Sequence, residues 1–204
     1  MRESPRIRRL RTDLKSLERL RDESTILDFE AIGHPPECYT IKFRGKGLYR
    51  PRNSAEIAVR DTHEVMIRLG ASYPRVMPEM EWRSPIFHPN ISGSGVVCLG
   101  GYGTYWVPSL NLEELCDMLW DMVRYQNFDP TSPYNRDAAR WIEVQRDYEL
   151  PVDPRPIRDK LSNGGKQASV AERDDAILFI DEVSEATVDA ELAEPEDPDL
   201  LIID

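Results

Sequence analysis

Between Leu27 and Trp82 the chain carries four short runs in which apolar residues recur at every second position. These are Leu27, Phe29 and Ala31, then Tyr39, Ile41 and Phe43, then Val65, Ile67 and Leu69, and finally Met80 and Trp82. A period of two belongs to a strand, so each run predicts one. The intervals are rich in turn residues: Gly33 to Pro36, Gly45 to Asn53, and Gly70 to Pro78, where Tyr73-Pro74 and Met77-Pro78 interrupt any regular ladder. Four strands in series separated by such breaks predict an antiparallel meander.

Helical spacing flanks the meander. Ile7, Leu10, Leu14, Leu17 and Leu20 recur at steps of three and four, with Arg8, Arg9, Arg11, Lys15, Arg19 and Arg21 distributed around them, which predicts an amphipathic first helix. Leu112, Leu115, Leu119 and Met122 predict a second, opened by Asn111 with Glu114 three residues on in a capping-box pattern. Asn135 caps a third, with Ala138, Ile142, Gln145 and Tyr148 on one face. The class is therefore α+β. The globular pattern ends near Leu150, which sets a domain over residues 1–150 and a flexible, acidic C-terminal tail over residues 151–204.

Charge sharpens that boundary. The net charge of the 204 residues is -11, yet from Ala171 to Asp204 alone thirteen Asp and Glu stand against one Arg. The remainder is about neutral, without the basic balance that a phosphate-binding surface needs, so no nucleic-acid partner is expected. No apolar run approaches the roughly 18 residues that span a bilayer, and the basic N-terminal segment has neither an apolar stretch nor a small-residue cleavage site. The expectation is a soluble, cytoplasmic protein with no membrane partner. Two short apolar strips in the acidic tail, residues 176–180 and 200–203, could add as strands to a partner's sheet edge or fold back on the domain.

From Ser84 to Pro108 sustained periodicity stops, and the stretch gathers glycines, prolines, His88, Asn90, Cys98 and Trp106. A long irregular segment inside a compact domain is commonly a functional one. The three cysteines, Cys38, Cys98 and Cys116, are widely spaced and odd in number, which argues against a disulfide framework or a zinc knuckle. No metal or cofactor is expected. Cys38, in a predicted strand, and Cys116, in a predicted helix, read as small apolar residues. Cys98 lies in a glycine-flanked loop, the setting that gives an accessible thiolate. No general base is placed beside it by the sequence, which suits exchange of an already activated acyl group better than hydrolysis.

In that loop the residues FHPNISGSGVVCLG, Phe87 to Gly100, resemble the signature of the ubiquitin-conjugating enzyme family: His-Pro-Asn, then a glycine and the catalytic cysteine. Asn90 precedes Cys98 by eight positions, Gly95 is the glycine, and Leu99 follows directly. Tyr73-Pro74 with Pro78 is similar to the family's proline-rich loop, Trp106, Pro108 and Leu110 to its Trp-x-Pro-x-Leu segment, and PYNRDAARW to its late helix. The resemblance covers roughly Pro5 to Leu150. It departs at Arg75, where members working with RING-type ligases often carry a large apolar residue, and at the glycine-rich residues 100–105.

The resemblance implies the ubiquitin-conjugating fold and a carrier that takes a ubiquitin-like protein from an ATP-dependent activating enzyme as a thioester on Cys98. The acyl group then passes to an amine of a target protein, in some settings with a ligase. On this reading Asn90 stabilises the charge that grows on the carbonyl oxygen, and His88 and Pro89 shape the turn that aims it. Ser132 stands at about the place where the family uses an Asp or Ser to orient the incoming lysine. The first helix, with Arg8, Arg9, Arg11 and Lys15, meets the activating enzyme by resemblance, or is simply a solvated face. The rival class is a non-catalytic module of the same fold that binds ubiquitin-like proteins without carrying them. A bacterial ubiquitin-like conjugation pathway is one setting that would fit the unusual loops.

Overall fold

The computed structural model describes residues 3–99 and 106–162. The glycine-rich departure at residues 100–105 and residues 163–204, which hold the two apolar strips, lie outside the described residues. Helix α1 (Pro5–Asp22) starts where Ser4 caps it, its side chain accepting the Ile7 N–H at 3.2 Å, with Pro5 in the first turn. Arg19 and Arg21 fall in its last turn, where cations complement the exposed carbonyls. Four strands follow, β1 (Leu27–Gly33), β2 (Pro36–Tyr49), β3 (Ala58–Arg68) and β4 (Glu79–Trp82), in one antiparallel sheet of order β1-β2-β3-β4. The register sets Leu27 opposite Phe43, Ile41 opposite Val65, and Val65 opposite Trp82. One sheet face thus presents Leu27, Phe29, Tyr39, Ile41, Phe43, Val65, Ile67 and Trp82 to the core.

That face is covered by α1 and by α2 (Leu112–Val123), whose Leu10, Leu17, Leu20, Leu115, Leu119 and Trp120 share the same buried cluster. Asn111 and Glu114 form the full reciprocal capping box on α2, at 3.0 and 2.8 Å. Helix α3 (Arg136–Val144) is shorter than its apolar spacing suggested. Gln145 is already its C-cap, and Tyr148 lies beyond the helix, where its hydroxyl donates to the Ile57 carbonyl at 2.6 Å. Among the described residues no helix is long and apolar enough to cross a membrane.

Two expectations change. The stretch from Gly45 was expected to be a turn, but β2 continues to Tyr49 through an irregularity between Arg44 and Gly47. The glycines serve close approach rather than turning: a Cβ on Gly45 would sit 2.4 Å from the Trp120 ring, and one on Gly47 2.6 Å from the His63 ring. The ordered chain also continues past Leu150, where a flexible linker was expected to begin. Trp120 Nε1 donates to the Arg155 carbonyl at 2.8 Å, Ile157 is buried in the core, and Asp159 accepts the Thr25 N–H at 2.7 Å. The Asp153 carboxylate accepts the Lys46 N–H at 3.0 Å and pairs with Arg155. A chain rich in proline and charge is held here by a few specific acceptors, a pattern that hydrophobic periodicity does not reveal.

Candidate active site

The loop after β4 is tied down at every carbonyl of its His-Pro-Asn tripeptide. Phe87 N–H donates to the Leu48 carbonyl at 2.8 Å, which pins the entry to the end of β2. The His88 carbonyl accepts the Ile91 N–H, the Pro89 carbonyl accepts the N–H groups of Tyr134 and Asn135 at 2.9 Å each, and the Asn90 carbonyl accepts the Cys98 N–H at 2.9 Å. One short turn thereby holds both the approach to α3 and the cysteine. The Ser92–Gly95 turn closes the intervening loop: Gly95 donates to the Ser92 carbonyl at 2.9 Å and accepts the Trp82 N–H at 2.7 Å. Gly95 has φ +87°, and a Cβ there would lie 2.2 Å from the Trp82 carbonyl oxygen, so the position admits no side chain.

Cys98 is half-buried, flanked by Val97 and Leu99, which are buried in the core. Alternation along this extended segment turns its side chain away from the core that its neighbours enter. Cys116 is fully buried within α2, and burial pushes its thiol far above the ordinary range. Cys38 is half-buried but lies within β2, near its start, paired with Ile32 and Arg68.

His88 is completely buried, and both ring nitrogens are occupied. Nδ1 accepts the Asn90 N–H at 3.1 Å, which makes Nε2 the protonated nitrogen, 3.2 Å from the Asn127 carbonyl. Burial lowers its pKa to about 3 against the help of that carbonyl, so it stays neutral, and with the ring enclosed and Nδ1 already accepting it has no lone pair free for a substrate proton. The Tyr125 ring lies 5.0 Å from it, and the Tyr125 hydroxyl donates to the Phe87 carbonyl. Asn90 is buried as well, and its amide is clamped by one residue: Nδ2 donates to the Asp129 carbonyl at 2.9 Å, and Oδ1 accepts the Asp129 N–H at 2.7 Å.

Asp129 is thus the residue of the pre-α3 loop that holds the Asn90 amide. Its carboxylate Oδ1 accepts the Thr131 hydroxyl at 2.6 Å and the Thr131 N–H at 2.8 Å, and these bonds hold its pKa below the usual carboxylate value. Ser132 is exposed, three residues further on. The signal for Asp129 is present in the sequence: an Asp followed two residues later by Thr is a local hydrogen-bonding turn.

The four basic residues of α1 expected to meet the activating enzyme do not share one exposed face. Arg8, Arg11 and Lys15 are exposed along one side of the helix, Arg11 paired with Glu3 at 2.6 Å. Arg9 turns inward instead. Its guanidinium is bonded to the buried Asp13 carboxylate at 2.9 and 3.0 Å, to the Tyr73 hydroxyl at 3.0 Å, and to the carbonyls of Pro108 and Leu110. Asp13 also accepts the Tyr73 hydroxyl at 2.6 Å and the Leu112 N–H at the start of α2. Arg9 is therefore a fastener between α1, the Tyr73-Pro74 loop and the segment before α2, and is removed from any docking face.

Residues 60–153 match the model of the ubiquitin-conjugating enzyme family. Ubiquitin-conjugating enzyme E2 2 of Mycosarcoma maydis is 28% identical over 116 residues, 56% of this chain and 62% of that protein. Ubiquitin-conjugating enzyme E2 16 of Schizosaccharomyces pombe is 35% identical over 79 residues, 38% of this chain and 48% of that protein. The chain is similar to the ubiquitin-conjugating enzyme family over residues 60–153, a little under half of its length. It spans about half to three fifths of the length of these curated relatives. Among solved structures, S. cerevisiae Ubc12 superposes with a TM-score of 0.54 at 24% identity, covering 72% of this chain and 75% of that one, which shows the shared ubiquitin-conjugating fold.

Proposed function

We propose that the chain carries ubiquitin or a ubiquitin-like protein as a thioester on Cys98 and transfers it to an amine of a target protein. The observation that carries this reading is the half-buried Cys98 held by the Asn90 carbonyl, beside a buried His-Pro-Asn turn that is fully hydrogen-bonded. The activating enzyme would supply the acyl group already activated, at the expense of ATP. Cys98 sulfur then bonds to the carbonyl carbon as the donor's sulfur departs. In the second step the amine nitrogen bonds to that carbon, the C–S bond breaks with its electron pair on sulfur, and the amine's proton leaves to the thiolate or to water. Neither step calls on His88, which is neutral and enclosed.

Asn90 keeps one amide hydrogen beyond the one given to Asp129, and this is the donor assigned to the oxyanion. On the acceptor side the role expected of Ser132 passes to Asp129, an ionised carboxylate anchored to Asn90 on which an incoming ammonium can rest before it loses its proton. Arg8, Arg11 and Lys15 form the cationic stripe offered to the activating enzyme, without Arg9. The catalytic domain runs through Ser162, with the acidic remainder as an appended tail.

The test is a non-reducing gel of the protein with ubiquitin or the candidate ubiquitin-like protein, an activating enzyme and ATP. Wild type forms an adduct that thiols cleave, Cys98→Ala forms none, and a Cys98→Ser adduct resists thiols as an ester. Absence of any adduct with partners shown to be active on another carrier would overturn the reading in favour of a binding module.

A further inference from the structure

Thr131 is exposed and yet commits two donors to a single carboxylate oxygen. Its hydroxyl and its backbone N–H both end on Asp129 Oδ1, at 2.6 and 2.8 Å. The backbone of the same Asp129 is fixed at both its N–H and its carbonyl by the Asn90 amide. Main chain and side chain of Asp129 are thus immobilised by different partners, one on each side. A partly exposed aspartate ordinarily samples several rotamers, and ordering one costs conformational entropy. A carboxylate held at Oδ1 keeps Oδ2 as the oxygen open to a cation, with the Ser132 N–H a weaker neighbour of the same carboxylate.

We propose that Thr131 is a positioning residue for amine transfer: it holds one Asp129 oxygen so that the other receives the lysine ammonium that attacks the Cys98 thioester. The inference rests on the carrier reading above and adds the residue that sets acceptor affinity. Thr131 touches neither the acyl group nor the sulfur. It acts through Asp129, so its loss weakens acceptor binding more than the chemical step. Lysine meets the carboxylate as an ammonium, donates a proton to Oδ2 in a hydrogen bond, and attacks after deprotonation. Hydroxylamine, largely uncharged at neutral pH, has no such need.

Two measurements test it. In the first, the Asp129 carboxyl is titrated by carboxyl-detected NMR in wild type, Thr131→Val and Thr131→Ser. Removal of the hydroxyl in Thr131→Val moves the midpoint up toward the ordinary aspartate range, and Thr131→Ser restores it. In the second, Cys98 is charged directly from ubiquitin bearing a C-terminal mercaptoethanesulfonate thioester, and single-turnover discharge is followed with free lysine and with hydroxylamine. Thr131→Val raises the lysine concentration giving half-maximal rate by roughly threefold to tenfold, a discount on a buried charged hydrogen bond for the exposed setting. The limiting rate and the hydroxylamine reaction hold, and Thr131→Ser behaves as wild type. An Asp129 titration identical in Thr131→Val and wild type, or lysine and hydroxylamine discharge falling together, overturns the proposal. Failure of Cys98 to charge from either the thioester or the activating enzyme is a different outcome: it sinks the carrier reading itself.

Discussion

The Asn90 amide offers two donors and two acceptor lone pairs, and the Asp129 backbone takes one of each. A side chain so clamped cannot swing toward a substrate, but the donor it retains is preorganised, which is the condition under which an oxyanion donor contributes most. Replacing Asn90 by Ala removes the proposed oxyanion donor and the Asp129 clamp together. Discharge of the Cys98 thioester to lysine is expected to slow by on the order of 100-fold, with charging affected far less. The loss of two buried hydrogen bonds is expected to lower stability by about 1–3 kcal/mol. Single-turnover discharge and urea denaturation of the same variant check both, and a discharge rate equal to wild type would show that Asn90 is structural only. At this scale the sequence exposed the residue types of the site but not their partners. Arg9 and Arg8 are indistinguishable in a helical pattern read as basic decoration, and only the position of Asp13 four residues later, on the buried side, pulls one of them into the protein. Ser132 is placed by counting along a loop, and counting does not reveal that the Asp129 backbone is bonded to the Asn90 amide.

Elements were more legible than residues. The period-two runs and the α1 and α2 spacing match the observed strands and helices because burial on one face imposes its repeat directly on the sequence. Where a segment is held by polar contacts instead, that repeat is absent. The stretch from Pro151 to Ser162 was expected to be loose because it is rich in proline and charge, yet it covers the Trp120 indole, places Ile157 in the core, and sets Asp153 and Asp159 against β2 and the start of β1. Arg158 adds ion pairs to Glu23 and Glu113 at 2.9 and 3.2 Å. Ending the chain after Leu150 would expose the Ile157 site, orphan the Trp120 N–H, and leave the Lys46 and Thr25 amides without acceptors. A loss of about 3 kcal/mol or more is expected from the apolar burial and buried donors together. Ending it after Ser162 removes none of these contacts. Thermal unfolding of the two truncations tests this: equal melting temperatures would show that residues 151–162 add nothing to the domain.

At the scale of the whole molecule, acid stability follows from two imidazoles buried far apart in the chain. His63, on β3 against Gly47 and Trp82, has its pKa lowered by burial to about 4, although the Arg60 carbonyl at 2.9 Å pulls the other way. His88, in the site loop, is lowered by burial to about 3. An unfolded histidine titrates near 6.5, so below that pH the unfolded chain binds protons that the native protein refuses. The stability contributed by neutral burial is therefore fully present above about pH 6.5 and is lost as the pH falls toward the folded values. Between pH 7 and pH 5 each site is expected to remove about 2 kcal/mol, so the two together consume a large part of an ordinary domain's margin. Because His88 braces the Asn90 turn through its Nδ1, local opening at the site is expected to precede global unfolding on the acid side. Urea denaturation at the two pH values measures the total, and amide exchange at Asn90 and Cys98 measures the local part. A denaturation midpoint unchanged between pH 7 and pH 5 would mean that the imidazoles reach solvent, which would also reopen His88 as a candidate base.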